Sequence, residues 1–372
     1  MIKILELLGE PIGSGGEESF IINVLSHMNL KEMNIDVLTP YFCQNLYYKT
    51  VIEKLGGNVF ELHQNFAPGK SRLNIIKPLD LFLKYHKYDV VHIHSGSMSV
   101  LAIASFCAKK NRVGKILVHS HSTSEKNTSK KKLLRTLTGC IMYFCVDYYL
   151  SCSIDAGRDK FFRSVVNNNL IVIKNGIDLN KFCHNDFKRK KMRYKLNLSP
   201  NTFVLGHVGR FTKSKNHEFI LAVFLQLKLK KPDSKLLLVG EGELFSTIQQ
   251  KTVQMGLKND VIFTGAVNNV YDYMQAMDAF IFPSLFEGLG MVALEAQAVG
   301  IPTYISDNCP HDVLITDYAH MVSLNTSTEK WASLILNPHC IIQDGSSDIR
   351  QAGFDINDTA EVIRKGCVKS FV

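Results

Sequence analysis

A parallel α/β architecture of two doubly wound domains is what the sequence predicts, on three observations. Short runs rich in Val, Ile and Leu alternate with helix-length segments, the pattern of parallel strands covered by helices on both faces. The alternation comes as two series separated by a charged stretch. The length, 372 residues, suits two domains of roughly 150 residues each and excludes one small core.

The first series opens at 2–8, where one Lys and the internal Glu6 read as a buried first strand and not as a signal peptide. Strands follow at 35–39, 58–62, 90–94, 115–119, 148–151 and 170–173, with an amphipathic segment expected at 20–33. The second series runs through 203–208, 235–239, 261–264, 279–282 and 302–305. Between the two series the strand pattern stops, and six of the eight residues from 188 to 195 are basic. The expected organisation is therefore a first domain at 1–185, a basic linker at 186–200, a second domain at 201–347 and a helical tail at 348–372. Ligands of such sheets bind beyond the carboxyl ends of the strands, so a site is expected where two such domains face across a cleft.

Composition narrows the class. With 46% apolar and 21% charged residues the chain is an ordinary globular one, and disorder is excluded. The longest apolar run, 140–152, is broken by Asp147 and is shorter than the roughly 20 residues that cross a bilayer. Nine scattered cysteines never reach a C-x-x-C spacing, which argues for reduced thiols and a cytoplasmic setting. The net charge of +9 favours an anionic partner and leaves nucleic acid, an anionic membrane and a phosphorylated substrate open.

The polar residues with chemical potential cluster at strand ends. The first strand runs into Gly9-Glu-Pro-Ile-Gly13-Ser-Gly15-Gly16-Glu17-Glu18, a turn whose glycines let backbone approach a ligand and whose following helix would face an anion. Its spacing is neither the dinucleotide fingerprint nor the Walker loop, and a plain tight turn reads equally well. The fourth and fifth strands end in His92-Ile-His94 and His119-Ser-His121, each pair on one face. A metal there would need a third ligand and a carboxylate, neither evident in the sequence, so no metal is expected; buried structural histidines and imidazoles lining the cleft remain, with His121 the better cleft residue. In the second series Gly209 closes a strand and is followed by Arg210 and Lys215, a guanidinium and an ammonium suited to a diphosphate. Further on, 282–300 reads as a strand end, the Gly-rich turn Glu287-Gly288-Leu289-Gly290, and a helix from Met291 closed by Gly300. Glu287 precedes that helix and Glu295 lies inside it, an eight-residue offset of roughly two turns, placed for a sugar hydroxyl and a ribose diol.

These motifs together resemble the retaining nucleotide-sugar glycosyltransferases of the GT-B fold, family four, and particularly their bacterial exopolysaccharide and capsule branch. The likeness spans nearly the whole chain: Gly15-Gly16-x-Glu18, His119-Ser-His121-Ser, Asn175-Gly-Ile-Asp178, Gly209-Arg210 with Lys215, Val239-Gly-x-Gly242, Phe263-Thr-Gly265, and Glu287 with seven residues before Glu295. The resemblance implies that Arg210 and Lys215 bind the donor diphosphate, that the Gly15-Gly16 turn closes over it, and that the Gly265-Ala266-Val267 backbone faces the base. It implies Glu295 at the ribose, Glu287 and His121 at the donor sugar, metal-independent chemistry, no cofactor beyond the nucleotide-sugar, a UDP-sugar, and a last helix that crosses back onto the first domain. Two departures are Gly290, where relatives often carry Pro, and Asn216, where many have Gly.

A saccharide acceptor, lipid-linked, is expected from Lys126, Lys130, Lys131, Lys132 and Arg135, which precede an apolar stretch ending at Leu150, as in a basic amphipathic helix on the inner face of a membrane. A solvated charge run beside a core helix is the competing reading of 126–150. Two other functions fit parts of the sequence: a UDP-sugar epimerase on the same scaffold, and a basic nucleic-acid-binding protein, which lacks any recognition motif.

Overall fold

The structure, a computed structural model, describes residues 1–13, 15–67, 69–121, 129–337 and 344–370. The chain forms two compact units, Met1–Gly176 with Ile356–Val372, and Ile177–Asp355. Each is built on one parallel sheet.

In the first unit the strands are β1 (Ile2–Leu8), β2 (Met33–Thr39), β3 (Val59–Glu61), β4 (Val90–His94), β5 (Lys115–Ser120), β6 (Tyr148–Ser151) and β7 (Leu170–Val172), in the spatial order β3-β2-β1-β4-β5-β6-β7. The order reverses between β1 and β4, so the crevice outside the carboxyl ends of those two strands is the switch point. Alternation divides β1 between the two faces: Leu5 and Leu7 enter one core with Leu79 and Leu101, while Ile4 and Leu8 enter the other with Phe20, Ile356 and Ile363. Glu6 shares the face of Ile4 and Leu8, beneath the helices Gly16–His27 and Ile356–Val368. The first of these starts earlier than the expected 20–33 and ends before β2, because the Gly-rich turn itself supplies its first residue.

The last helix belongs to this unit. Thr359 Oγ1 donates to the Lys174 carbonyl at 3.0 Å, and Lys115 Nζ donates to the carbonyls of Gly366, Cys367 and Lys369 at 2.9, 3.1 and 3.0 Å, an ammonium at a helix C-terminus. A Cβ on Gly176 would lie 2.4 Å from Ile356 Cα, so the glycine of Asn175-Gly-Ile-Asp178 is needed where the chain passes its own returning segment. The expected tail at 348–372 divides there: Ser346–Gln351 is a helix of the second unit, and Ile356–Val368 of the first.

The second unit carries β8 (Phe203–Val208), β9 (Ser234–Val239), β10 (Val261–Phe263), β11 (Ala279–Phe282), β12 (Thr303–Ser306) and β13 (Ala319–Val322), in the order β10-β9-β8-β11-β12-β13. Its switch point lies between β8 and β11. The expected linker is not one: Asp186–Lys195 is a helix of this unit. Arg189 Nη2 pairs with Asp278 Oδ1, buried Arg193 reaches Asp278 Oδ2 at 3.2 Å, and Oδ2 also accepts the Val204 N–H at 2.7 Å. Two charges of the basic run are thus turned inward onto one carboxylate 85 and more positions away.

Candidate active site

The second switch point is assembled by two loops that hydrogen-bond to each other. After β8, Gly209 donates its N–H to the Val239 carbonyl at 3.0 Å, and a Cβ on Gly240 would come within 2.2 Å of the Gly209 oxygen. The chain then turns through a 3-10 segment, Lys213–Lys215, to Asn216 at φ 57°. That left-handed conformation explains the departure at 216: Gly and Asn are the residues that adopt it at least cost. Asn216 Nδ2 donates to the Pro283 carbonyl at 3.2 Å, and the Leu285 N–H donates to Ser214 at 2.8 Å. The loops after β8 and β11 are thereby held side by side.

This brings Lys215 and Glu287 together, 72 positions apart in sequence, as a direct ion pair, with the ammonium 4.8 Å from the centre of the Phe282 ring. Arg210 is exposed beside the turn. Gly290 stands at φ 86° and caps the helix Met291–Val299, and its missing Cβ would meet Phe282 Cε1 at 2.9 Å. Pro, with φ locked near −65°, does not fit this backbone, so the turn into the helix is a glycine turn. The Ala293 N–H donates to the Gly290 carbonyl at 2.9 Å, which leaves the N–H groups of Met291 and Val292 at the start of the helix to favour an anion at this end of the sheet. Glu295, half-buried inside the helix, has its pKa pushed up to about 7 by burial. Gly265, at φ 71°, accepts the Gly240 N–H at 3.0 Å, which ties the turn with Ala266 and Val267 to the end of β9.

The first switch point has different chemistry. The Gly9 N–H donates to the His94 carbonyl at 2.8 Å, so the Gly-rich turn leaves β1 directly beside the end of β4. Gly16 has open space where a Cβ would stand, whereas one on Gly15 would meet Glu18 Oε2 at 2.4 Å. The Gly13 N–H is already spent on Glu18 Oε1 at 3.2 Å. Glu17 is raised to about 8, by burial first and then by Glu18 and Glu10, so it holds a proton near neutrality and adds little negative charge to the turn.

Below the turn, His92, His94 and His119 are buried on the Glu6 face, and His121 is half-buried. His94 Nε2 is 2.6 Å from Glu6 Oε2, and its Nδ1 is 2.8 Å from His121 Nε2. His92 Nδ1 lies 3.0 Å from the same Glu6 oxygen without making a hydrogen bond. His119 stacks on His121 with ring centres 4.1 Å apart, and Phe20 closes over both. The ring nitrogens of His92, His94 and His119 approach within 4.8 Å of one another, so the fold supplies the third imidazole and the carboxylate that sequence spacing did not reveal. Both nitrogens of His94 are engaged, however, so a metal would have to break the bonds to Glu6 and His121. Glu6, which anchors His94 here, is the residue of this cluster that sequence reading did not single out; its sign was a lone carboxylate inside an otherwise apolar buried strand.

Lys126 lies outside the described residues, as do the side chains of Lys130 and Lys131. The remainder of the expected membrane helix, Ser129–Cys145, exposes Leu133, Leu137, Ile141 and Phe144 along one face, Phe144 by 76%, with Lys132 exposed beside them. Arg135 Nη1 donates to the Arg158 carbonyl at 3.3 Å. No described helix is long and apolar enough to cross a membrane.

Two doubly wound units, one with cations and a helix N-terminus at its switch point, define the class of GT-B glycosyltransferases. Family comparison agrees over both: residues 14–181 match the model of Glycosyltransferase Family 4, and residues 188–336 that of Glycosyl transferases group 1. The chain belongs to the glycosyltransferases of family four. It is 29% identical over 345 residues to EpsF of Bacillus subtilis, named as a glycosyltransferase, covering 90% of this chain and 86% of that one. It is 29% identical over 245 residues, 64% of this chain and 62% of the other, to the Escherichia coli UDP-Gal:alpha-D-GlcNAc-diphosphoundecaprenol alpha-1,3-galactosyltransferase. Among solved structures, Anabaena HepE in complex with UDP and glucose shares the fold at a TM-score of 0.76 and 18% identity, over 98% of this chain and 99% of that one.

Proposed function

We propose that this glycosyltransferase moves a hexose from a UDP-sugar to a lipid-linked saccharide, with retention of anomeric configuration and without a metal, in the assembly of exopolysaccharide or capsule. The observation that carries the reading is the Lys215–Glu287 pair beside the N-terminus of Met291–Val299. It puts a cation for a leaving diphosphate next to a carboxylate for a sugar hydroxyl. The relatives support the donor and acceptor: one acts with UDP-Gal on a diphosphoundecaprenol-linked sugar, and a fold neighbour binds UDP and glucose.

In this reading the C1–O bond to the diphosphate breaks as the acceptor oxygen bonds C1 from the same face, and the acceptor's proton passes to the departing phosphate oxygen. No carboxylate nucleophile with an acid partner is needed, unlike a retaining glycosidase. Arg210 and Lys215 stabilise the charge that builds on the diphosphate. The backbone of Gly288, Leu289, Gly290 and Met291 receives phosphate oxygens, Glu295 meets the ribose, and Gly265, Ala266 and Val267 lie along the base. Gly209 lets the chain pass close to the diphosphate. From the first unit, the Gly15-Gly16 turn and His121 serve the donor. The exposed apolar face of Ser129–Cys145, with its basic flank, supports a peripheral seat on an anionic inner leaflet, where such an acceptor resides.

The test is transfer from UDP-hexoses to a polyprenyl-diphosphate sugar, with the product's anomeric configuration read by NMR and the rate repeated in EDTA. An α-linked product from an α-linked donor, at a rate EDTA leaves unchanged, is expected. Inversion, or activity lost to EDTA and restored by a metal, overturns the mechanism; conversion of donor without acceptor turns the reading to an epimerase.

A further inference from the structure

The first unit holds a hydrogen-bonded chain that runs from Glu6 through His94 and ends at His121. Glu6 and His94 are 3% and 1% exposed, and Glu6 Oε2 is 2.6 Å from His94 Nε2. With Glu6 as the acceptor of this bond, Nε2 carries the proton of His94. Burial, with His92 and His121 nearby, holds the His94 pKa well below the usual histidine value, so this ring is neutral and has that one N–H. Its Nδ1 is then a bare lone pair, and His121 Nε2, 2.8 Å away, must donate to it. His121 is also neutral, its pKa pushed down to about 3 mainly by burial, so Nε2 takes its only proton. What remains is His121 Nδ1, withdrawn from solvent and without a hydrogen-bond partner among the described residues.

We propose that Glu6 and His94 are positioning residues that fix His121 as its Nε2–H tautomer, so that His121 offers a bare Nδ1 as acceptor to a hydroxyl of the sugar substrate. This rests on the reading that His121 serves the donor. The arrangement does two things for such a contact. It pins a half-buried ring through an anchor on β1, two strands from His121, and it fixes the polarity of the contact, accepting from a hydroxyl and rejecting a group that can only accept. A deoxy or fluoro sugar at that hydroxyl would leave Nδ1 unpaired in a buried place.

The experiment uses the full-length protein labelled with 15N-histidine. His121 is assigned by difference from His121→Ala, and tautomers are read from two-bond 1H–15N correlations. The expected result is a protonated Nε2 and a bare Nδ1 for His121 in the wild type, with that preference lost in Glu6→Leu. In steady-state assays, Glu6→Leu and His94→Ala lower kcat about 10- to 100-fold with little change in donor KM, and Glu6→Gln, whose amide oxygen still accepts from His94, loses less. An Nδ1–H tautomer of His121 in the wild type overturns the proposal even if Glu6→Leu and His94→Ala fail to fold. So does a stoichiometric transition metal in the purified protein that His92→Ala removes, because His94 Nε2 would then be a ligand and not a donor. If His121→Ala keeps full activity while the tautomers are as expected, the role of His121 at the sugar fails and the relay stands as structure alone, which overturns the proposal's functional half.

Discussion

The two switch points share a topology and differ in charge. At the ends of β8 and β11 stand Arg210 and Lys215, a glycine turn at Gly290 and the start of a nine-residue helix. At the ends of β1 and β4 stand Glu10, Glu17 and Glu18, with Glu17 holding a proton near neutrality, and a cluster of four imidazoles of which His94 is bonded to Glu6. In the proposed function the first of these neutralises a departing diphosphate, while the other has its N–H of Gly13 spent on Glu18 and offers imidazole acceptors to hydroxyls. In that reading the work is divided by charge: the second unit supplies the cations that meet the diphosphate, with Glu287 beside them for a sugar hydroxyl, and the first supplies the Gly15-Gly16 turn and His121.

The sharpest way to break this division is Lys215→Ala. Loss of a principal charge stabiliser is expected to lower kcat about 10²- to 10³-fold, and near-normal turnover would move the diphosphate elsewhere. Next in size is the membrane seat: each basic residue near an anionic surface is worth about 1 kcal/mol, so neutralising Lys126, Lys130, Lys131, Lys132 and Arg135 should abolish flotation with anionic liposomes. Binding that survives, or is absent in the wild type, returns Ser129–Cys145 to a solvated helix. A smaller effect separates two glycines. Gly176→Ala forces a Cβ to 2.4 Å from the Ile356 backbone and should lower the melting temperature, whereas Gly16→Ala meets open space, should leave it unchanged, and should raise the donor KM if that turn closes over the donor. Equal melting points would place the strain wrongly.

The smallest effect concerns Glu295. Its folded pKa, about 7, lies above the ordinary 4.5, so its contribution to stability is complete below about pH 4.5 and is lost as pH rises through 7. Glu295→Gln should therefore melt higher than the wild type above pH 7, the difference fading on acidification. Parallel profiles would mean that the carboxylate is not desolvated.

Much of this was legible because strands buried on both faces leave continuous apolar runs, and their ends could be read where Gly209, Glu287 and His121 appear. What escaped depends on partners far along the chain. The run at 188–195 looked like a linker because Asp278, its inward partner, is 85 and more positions away. Glu6 looked like one charge in a strand until β1 was set beside β4, 88 positions on. The edge strand Ala319–Val322 has only four residues, three of them half-buried, too short for either period to show. Asn216 and Gly290 looked like departures from the family pattern because positive φ is a property of backbone that residue spacing does not display.

The central claim, that the second unit holds the nucleotide diphosphate and its ribose, is tested most directly by calorimetric titration of UDP, GDP, ADP and NAD into the wild type and Glu295→Ala. Selective UDP binding that weakens in the variant is the predicted result. Equal binding of UDP by both proteins would remove Glu295 from the ribose, and the absence of any nucleotide binding would contradict the account at its centre.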